Sequence, residues 1–279
     1  MTIGEGWKMG TELPMERLAH QKNAALMPGI GHFNDDFRDA IKGNIFLYDQ
    51  PGFISGMMDV EPVIQAGIAG GIAFSPGIKQ FAVEPQQNVN YVECHDNHTL
   101  WDKIVLSTEG ETFTQRRSMH RLASAIVFMS QGIPFIHAGQ EFMRTKDGVE
   151  NSYKSSVEIN RMDWELCAVH QEDVTYMKHL IALRKAHPAF RMRTADDIRN
   201  HLVFEKAPAS AVAYTLRSHA GGDAAKHIYV LFNANAEQTT VVLPQLGAWE
   251  TIFGADLTQD LTGNKLTVNG IGTVVLTAR

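Results

Sequence analysis

The chain has 279 residues, of which 44% are hydrophobic and 20% charged, and its formal net charge is −6. That length suits one large domain or a medium and a small one, and that composition suits a globular chain with a real core. The charge balance leaves no basic surplus to neutralise phosphates, which excludes non-specific nucleic-acid binding. No apolar stretch approaches the roughly 20 residues of a membrane-spanning helix, so no membrane partner is expected. The first residues lack a basic start followed by an apolar run, and Cys94 and Cys167 form neither a CxxC pair nor a disulfide framework. Both features are those expected of a cytoplasmic protein with reduced thiols.

In chain order, the first 29 residues read as loop, with Leu13-Pro14-Met15-Glu16 as a helix entry. Residues 29–42 carry an apolar-to-acidic transition, Phe33 followed by Asn34-Asp35-Asp36. Residues 52–77 are rich in glycine and read as permissive backbone around short helical pieces. Tyr91 to Cys94 is predicted as a short strand that runs into His95-Asp96-Asn97-His98. A cluster of ionisable groups at a strand end is how many α/β enzymes present chemistry, because strand ends hold side chains rigidly in a cleft. The alternative is a polar turn in which Asp96 and Asn97 cap the next helix.

Thr114 to Gln131 is predicted as a helix with Leu122, Ala125, Ile126 and Met129 on one stripe, stopped by Gly132. A buried strand, Ile133 to Ile136, follows and ends in His137 to Glu141. Asp173 to Lys185 is a second helix, with Val174, Met177, Ile181 and Arg184 near helical spacing. This strand–helix rhythm belongs to a parallel sheet or barrel. After Phe190 the texture changes to β-prone runs at 202–204, 211–216, 227–232, 239–243, 249–253, 265–268 and 273–276. Turn residues separate them, which predicts a small all-β sandwich. The expected division is 1–189 for the α/β part and 190–279 for the sandwich.

Three carboxylate sites stand out: Glu5 in Gly4-Glu5-Gly6-Trp7, Asp35 with Asp36, and Asp96. A glutamate beside a tryptophan suits a proton donor next to an aromatic sugar platform, since an apolar neighbour raises a carboxyl pKa. An exposed glutamate in a glycine-rich turn is the competing reading. The tryptophans are expected to be core or capping residues, except Trp7, which is expected to face ligand. His95 and His98 alone make a weak metal motif, so no metal is expected. No G-x-S-x-G elbow and no glycine-rich phosphate loop occurs.

Seven strings together carry a resemblance: GEGW at 4–7, FNDDFRDAIKG at 33–43, NYVECHDNHTLWDK at 90–103, the run at 120–146, NSYKS at 151–155, EINRMDW at 158–164 and LIALRKAHPAF at 180–190. They occur in the order found in type I pullulanases, the α-1,6-glucan debranching enzymes of the α-amylase superfamily, which the chain resembles from Gly4 to Phe190. HDN alone is common across that superfamily; the longer strings around it point to the pullulanase branch. The resemblance implies an α/β fold, the C-terminal half of a (β/α)8 barrel at about strands 5–8, followed by a small all-β sandwich. It implies an α-glucan substrate and a retaining mechanism. By motif, Glu5 resembles the general acid/base, Asp96 the transition-state stabiliser and His95 its sugar-binding partner, while Trp7 and Tyr153 resemble subsite-lining residues. No cofactor is implied, and no sequence motif reports on calcium.

The resemblance departs from the family in one respect. The nucleophile aspartate of the fourth strand and the motif of the third lie upstream of GEGW in the family, and neither occurs in these 279 residues. Only the end of the fifth strand precedes Glu5. The expectation is therefore a chain inactive alone and completed by an N-terminal half of the barrel. A non-catalytic glucan-binding or regulatory protein is the alternative.

Overall fold

The structure, a computed structural model, describes residues 2–278. Its first part is a four-stranded, all-parallel sheet in the order β1 (Thr2–Gly4), β2 (Ile30–Phe33), β3 (Asn88–Asn90) and β4 (Ile133–Pro134). Neighbours in sequence are neighbours in space, as in one half of a strand–helix barrel. Helices α1 (Asp35–Lys42), α2 (Glu61–Ile68), α3 (Leu100–Ser107) and α4 (Phe113–Met129) follow the strands. Four further helices complete the set: α5 (Val157–Asn160), α6 (Trp164–Val169), α7 (Gln171–Ala186) and α8 (Ala195–His201).

Several local expectations shift. The strand predicted at Tyr91–Cys94 is instead Asn88–Asn90, and Tyr91 and Val92 are buried beyond its last ladder position. The reason is a chain of buried amides. Asn34 Nδ2 donates to Asn88 Oδ1, Asn88 Nδ2 to Asn90 Oδ1, and Asn90 Nδ2 to the Gln131 carbonyl, at 2.7 Å each. Satisfied amides tolerate a strand interior that propensity disfavours. The helix entry at Leu13-Pro14 is a single 3-10 turn, Met15–Arg17, with Pro14 at its N-cap position and no side-chain cap. Helix α4 ends at Met129 rather than at Gly132, and Gly132 (φ +98°) serves a close approach: a Cβ there would lie 2.8 Å from the Asn88 carbonyl. On α7 the buried positions are Asp173, Met177, Leu180 and Arg184, whereas Ile181 is exposed.

The second part is antiparallel. Strands β5 (Leu202–Glu205), β6 (Ala211–Leu216), β7 (His227–Asn233), β8 (Thr239–Val242), β9 (Trp249–Phe253), β10 (Thr258–Thr262), β11 (Lys265–Val268) and β12 (Gly272–Ala278) form two sheets. One has the order β5-β6-β7-β12-β9 and the other β10-β11-β8. The polar strand β10 escaped the sequence pattern because only Leu261 on it is apolar. One core lies between the sheets, built from Tyr229, Leu231, Val241, Leu266 and Leu276. The opposite face of the larger sheet packs on the α/β part through Val212, Tyr214, Val230, Phe232 and Val275. With both faces covered, every residue of β6 and β7 is buried. Tyr214 donates to the Met129 carbonyl, and Ser210 N donates to Glu61 Oε1, so hydrogen bonds also cross the junction.

Arg184 ties α7 to the end of α4 and the turn that leads into β4. Its guanidinium donates to the carbonyls of Phe128, Ser130 and Gly132 at 2.5, 2.8 and 2.8 Å, in a buried setting. Arg184→Met leaves three carbonyls without this donor, and a loss of about 3 kcal/mol or more is expected in chemical denaturation. A loss under about 1 kcal/mol would show that water replaces the guanidinium.

Candidate active site

The loops at the carboxyl ends of β1 to β4 converge on a cleft of about 460 Å³ whose walls include Trp7, Asp35, Phe46, Asp96, Asn97 and Tyr153. Four separate connections thus supply one concavity, the arrangement that barrel enzymes use for chemistry.

After β1, the turn at Glu5-Gly6-Trp7 is held by Gly6, whose φ is +74° and whose Cβ position lies 2.8 Å from His32 Nδ1. A side chain at position 6 would meet both strain and a clash. Glu5 is partly buried two residues before Trp7. Trp7 Nε1 donates to Asp35 Oδ2, the Tyr91 hydroxyl donates to Asp35 Oδ1 at 2.7 Å, and Arg38 Nη1 lies 3.4 Å from Asp35 Oδ1. Burial pushes the Asp35 carboxyl above its ordinary value, against the opposing pull of Arg38, Tyr91 and Trp7. Asp35, read from the sequence only as part of one carboxylate site among three, is the post that fixes the Trp7 indole. Its place right after Asn34, the N-cap of α1, is the one signal that could have located it.

After β3, residues 95–98 form the most elaborately held loop. Asp96 is partly exposed, and His95 Nε2 lies 3.5 Å from Asp96 Oδ1 with the imidazole largely in solvent. Neither Asp96 nor Asn97 caps the next helix: the N-cap of α3 is Thr99, which accepts from Asp102 N at 3.1 Å. That leaves Asp96 free to line the cleft. The loop is bound from several sides. Lys146 Nζ donates to the His95 carbonyl and Lys42 Nζ to the His98 carbonyl, both at 3.2 Å. Asn97 N donates to Asn151 Oδ1 at 2.9 Å, and His98 Nε2 bonds the Gly148 carbonyl at 3.1 Å. Burial pushes the Lys42 ammonium down to about 8. Asp102 in turn anchors the 145–151 segment, accepting from Thr145 Oγ1 at 2.5 Å and from Lys146 N at 2.8 Å.

Tyr153 sits in the 3-10 turn Ser152–Lys154 and is 76% exposed. Of the sequence-predicted residues, Trp7, Asp96 and Tyr153 line the cleft, His95 flanks it beside Asp96, and Glu5 lies on the same strand end without a place among the lining side chains. The expectation that the other tryptophans are core or capping fails for Trp164, which is 68% exposed. Among the described residues no group of three or more His, Cys, Asp or Glu is placed to hold a metal ion.

A sequence profile described as the all-beta domain of pullulanase matches residues 198–256. A pullulanase of Bacillus subtilis is 45% identical over 279 residues, covering 99% of this chain and 39% of that protein. A crystal structure of a Paenibacillus barengoltzii pullulanase variant complexed with maltotetraose is 62% identical with a TM-score of 0.98, covering 100% of this chain and 43% of that one. The structure of type I pullulanase from Bacillus subtilis complexed with maltose gives 43% identity and a TM-score of 0.93, over 100% of this chain and 39% of that one. The chain is a homologue of the pullulanases. It corresponds to part of their catalytic barrel followed by the antiparallel β domain, and it spans about 40% of their length.

Two outcomes follow from this geometry. Asp35→Ala releases the indole N–H and the Tyr91 hydroxyl together, so the Trp7 emission, isolated by difference against Trp7→Phe, shifts to the red and stability falls by roughly 1–3 kcal/mol. Unchanged emission would mean that the indole is held by packing alone. The second concerns Glu93, a buried carboxylate behind the loop that accepts from Leu100 N and pairs with His137 Nδ1 at 3.0 Å. Burial would raise its pKa, but the His137 and Leu100 bonds and the nearby His120 outweigh it and hold it below the ordinary value. A folded pKa below the unfolded one contributes stability above the unfolded pKa and loses it as pH falls through the folded pKa. Glu93→Gln is therefore expected to flatten the loss of thermal stability below about pH 4.5. An acid profile identical to wild type would remove Glu93 from that role.

Proposed function

We propose that this chain contributes to a retaining α-1,6-glucan debranching hydrolase, supplying the acid/base half of its active site. The observation that carries the reading is the meeting of Trp7, Asp96 and Tyr153 on one cleft in a pullulanase homologue. The maltotetraose bound to the Paenibacillus relative supports an α-glucan as the ligand here. In this reading Glu5, protonated, delivers its proton to the glycosidic oxygen and later activates water. Asp96 keeps a fixed negative charge near the oxocarbenium-like centre, and His95 donates to sugar hydroxyls. Trp7, held by Asp35, and Tyr153 offer flat apolar faces to the pyranose rings.

Retention also needs a carboxylate nucleophile about 5–5.5 Å from the acid. These 279 residues contain no motif for it. The proposed partner is an N-terminal portion carrying the third- and fourth-strand motifs, joined in one polypeptide or supplied separately. Removing one member of a coupled site abolishes most of its rate, so the chain alone is proposed to bind glucan without cleaving it.

The test is reducing-sugar release from pullulan. The chain alone is expected to give none. Fused to, or mixed with, the N-terminal portion of a related pullulanase it is expected to cleave, and Glu5→Gln in that assembly lowers the rate by about 10²–10⁴-fold. Turnover by the chain alone that Glu5→Gln abolishes would show a complete site in these residues. An assembly that binds maltotetraose and never cleaves would favour a glucan-binding or regulatory protein.

A further inference from the structure

We infer that the junction between the barrel helices and the antiparallel domain holds a second glucan-binding site, built on Tyr176, Phe253 and the Thr273 hydroxyl; the choice of ligand rests on the glucan reading above. A hollow of about 350 Å³ lies between α4 and α7 on one side and β9, β12 and the turn after β9 on the other. The helices supply Arg121, Tyr176 and His179, and the antiparallel domain supplies Phe253, Asp256 and Thr273. None of them lines the cleft of Trp7, Asp96 and Tyr153. A neighbouring hollow of about 410 Å³ shares Arg121, Tyr176 and His179 and runs on to the first turns of α7, so the two form one trough.

Thr273 is the residue that points to a ligand. It is 1% exposed, and its hydroxyl has no hydrogen-bond partner among the described residues. Buried polar groups nearly always pair, and a hydroxyl left over costs stability until something completes it. Strand alternation puts Thr273 on the face of β12 that carries Val275, which packs on the α/β part. The Tyr176 hydroxyl approaches it from α7, but the two make no hydrogen bond. Burial pushes the Tyr176 pKa up, so its hydroxyl stays a neutral donor. Two hydroxyls thus line a space that neither fills.

The walls around them are set in advance. The Tyr176 and Phe253 rings make a tilted corner, 5.3 Å between centroids and 59° between planes. The Arg121 guanidinium lies 5.1 Å from the Tyr176 centroid, and its Nε donates to Asp173 at 2.7 Å. A register shift opposite Val275 and Leu276 bends the end of β9 where Phe253 sits. Gly254 (φ +77°) then lets the turn close on β12, since a Cβ there would lie 2.2 Å from the Thr273 carbonyl. Walls with little freedom lose little entropy on binding.

The chemistry of the walls selects the ligand. Arg121 is paired with Asp173, and Asp256 shares the hollow with His179, so no surplus of either charge is left to hold an ion. A neutral molecule with many hydroxyls and apolar ring faces matches two hydroxyls beside an aromatic corner, and a pyranose ring has that shape. The volume lies within the roughly 300–1,000 Å³ of small-ligand sites, and the trough beyond it gives a longer chain somewhere to run. A polymer held at this second point raises the local concentration of glucan at the cleft.

Titration with maltotetraose, followed by calorimetry and by threonine-methyl NMR, tests the assignment in the 279-residue chain and in its Trp7→Ala/Tyr153→Ala variant, which disables the cleft. The Thr251 and Thr273 methyl signals are expected to shift saturably in both. In the cleft-disabled background, Thr273→Val is expected to weaken the remaining binding by roughly two- to tenfold, the range of one hydrogen bond. Its unfolding midpoint should be equal or higher, because it removes an unpaired hydroxyl. His179→Ala, at an exposed position, is a second variant expected to weaken the same binding. Binding that disappears with the cleft, or that neither Thr273→Val nor His179→Ala alters, overturns the junction site and leaves the glucan reading standing. Methyl shifts at the junction with no response at the cleft support the junction site and sink the cleft reading. No binding by the wild-type chain overturns both.

Discussion

The ammonium of Lys103 is the interaction on which the arrangement of the cleft most depends. A buried cation is expensive unless its donors are all used. Here three backbone carbonyls of the loop that carries Phe46, those of Leu47, Tyr48 and Gln50, use them, so the cost of burial is offset only when that loop adopts this conformation. Burial lowers the Lys103 pKa, against Asp39 and Asp49, which favour the charged form. Lys42 and Lys146 follow the same pattern, each donating to a carbonyl of the 95–98 loop. Cationic side chains under the loops, rather than regular structure within them, therefore position Phe46 and Asp96.

That economy suits the architecture. The parallel strands are short, two to four residues each, and their connections carry most of the chain. Loops of that length hold a fixed shape only if their backbone groups find partners. The Asp102 carboxylate performs the complementary task from the same helix, accepting from Thr145 and Lys146 while Lys103 donates to the other side. Adjacent residues on α3 thus fasten the two loops that flank Asp96. The antiparallel domain steadies this assembly from behind, because β6 and β7 are buried on both faces and cannot shift without opening two cores.

Part of this was legible in the residues. The βα rhythm, the helices over 113–129 and 171–186 and most strands of the antiparallel domain follow from apolar periodicity. The cap of α3 was also written in the sequence, since Thr99 stands three residues before Asp102 in a capping-box spacing, although Asp96 and Asn97 are the more conspicuous capping candidates. The strand at 88–90 was hidden because asparagines read as turn residues until their amides are seen to satisfy one another. Strand β10 was hidden because an exposed edge strand needs little apolar content.

By itself the sequence determined the class of the chain: half of a parallel βα array followed by an all-β domain, with pullulanase motifs in order and Trp7, Asp96 and Tyr153 as candidates. Local patterns and motifs are enough for that, because periodicity and strand-end chemistry are properties of short segments. Only the tertiary structure decided what fixes those candidates. Asp35 holds Trp7 across 28 residues, Lys103 holds the Phe46 loop across more than 50, and Glu93 reaches His137 across 44. Such pairings depend on where the chain returns to itself, and no spacing within a segment encodes them.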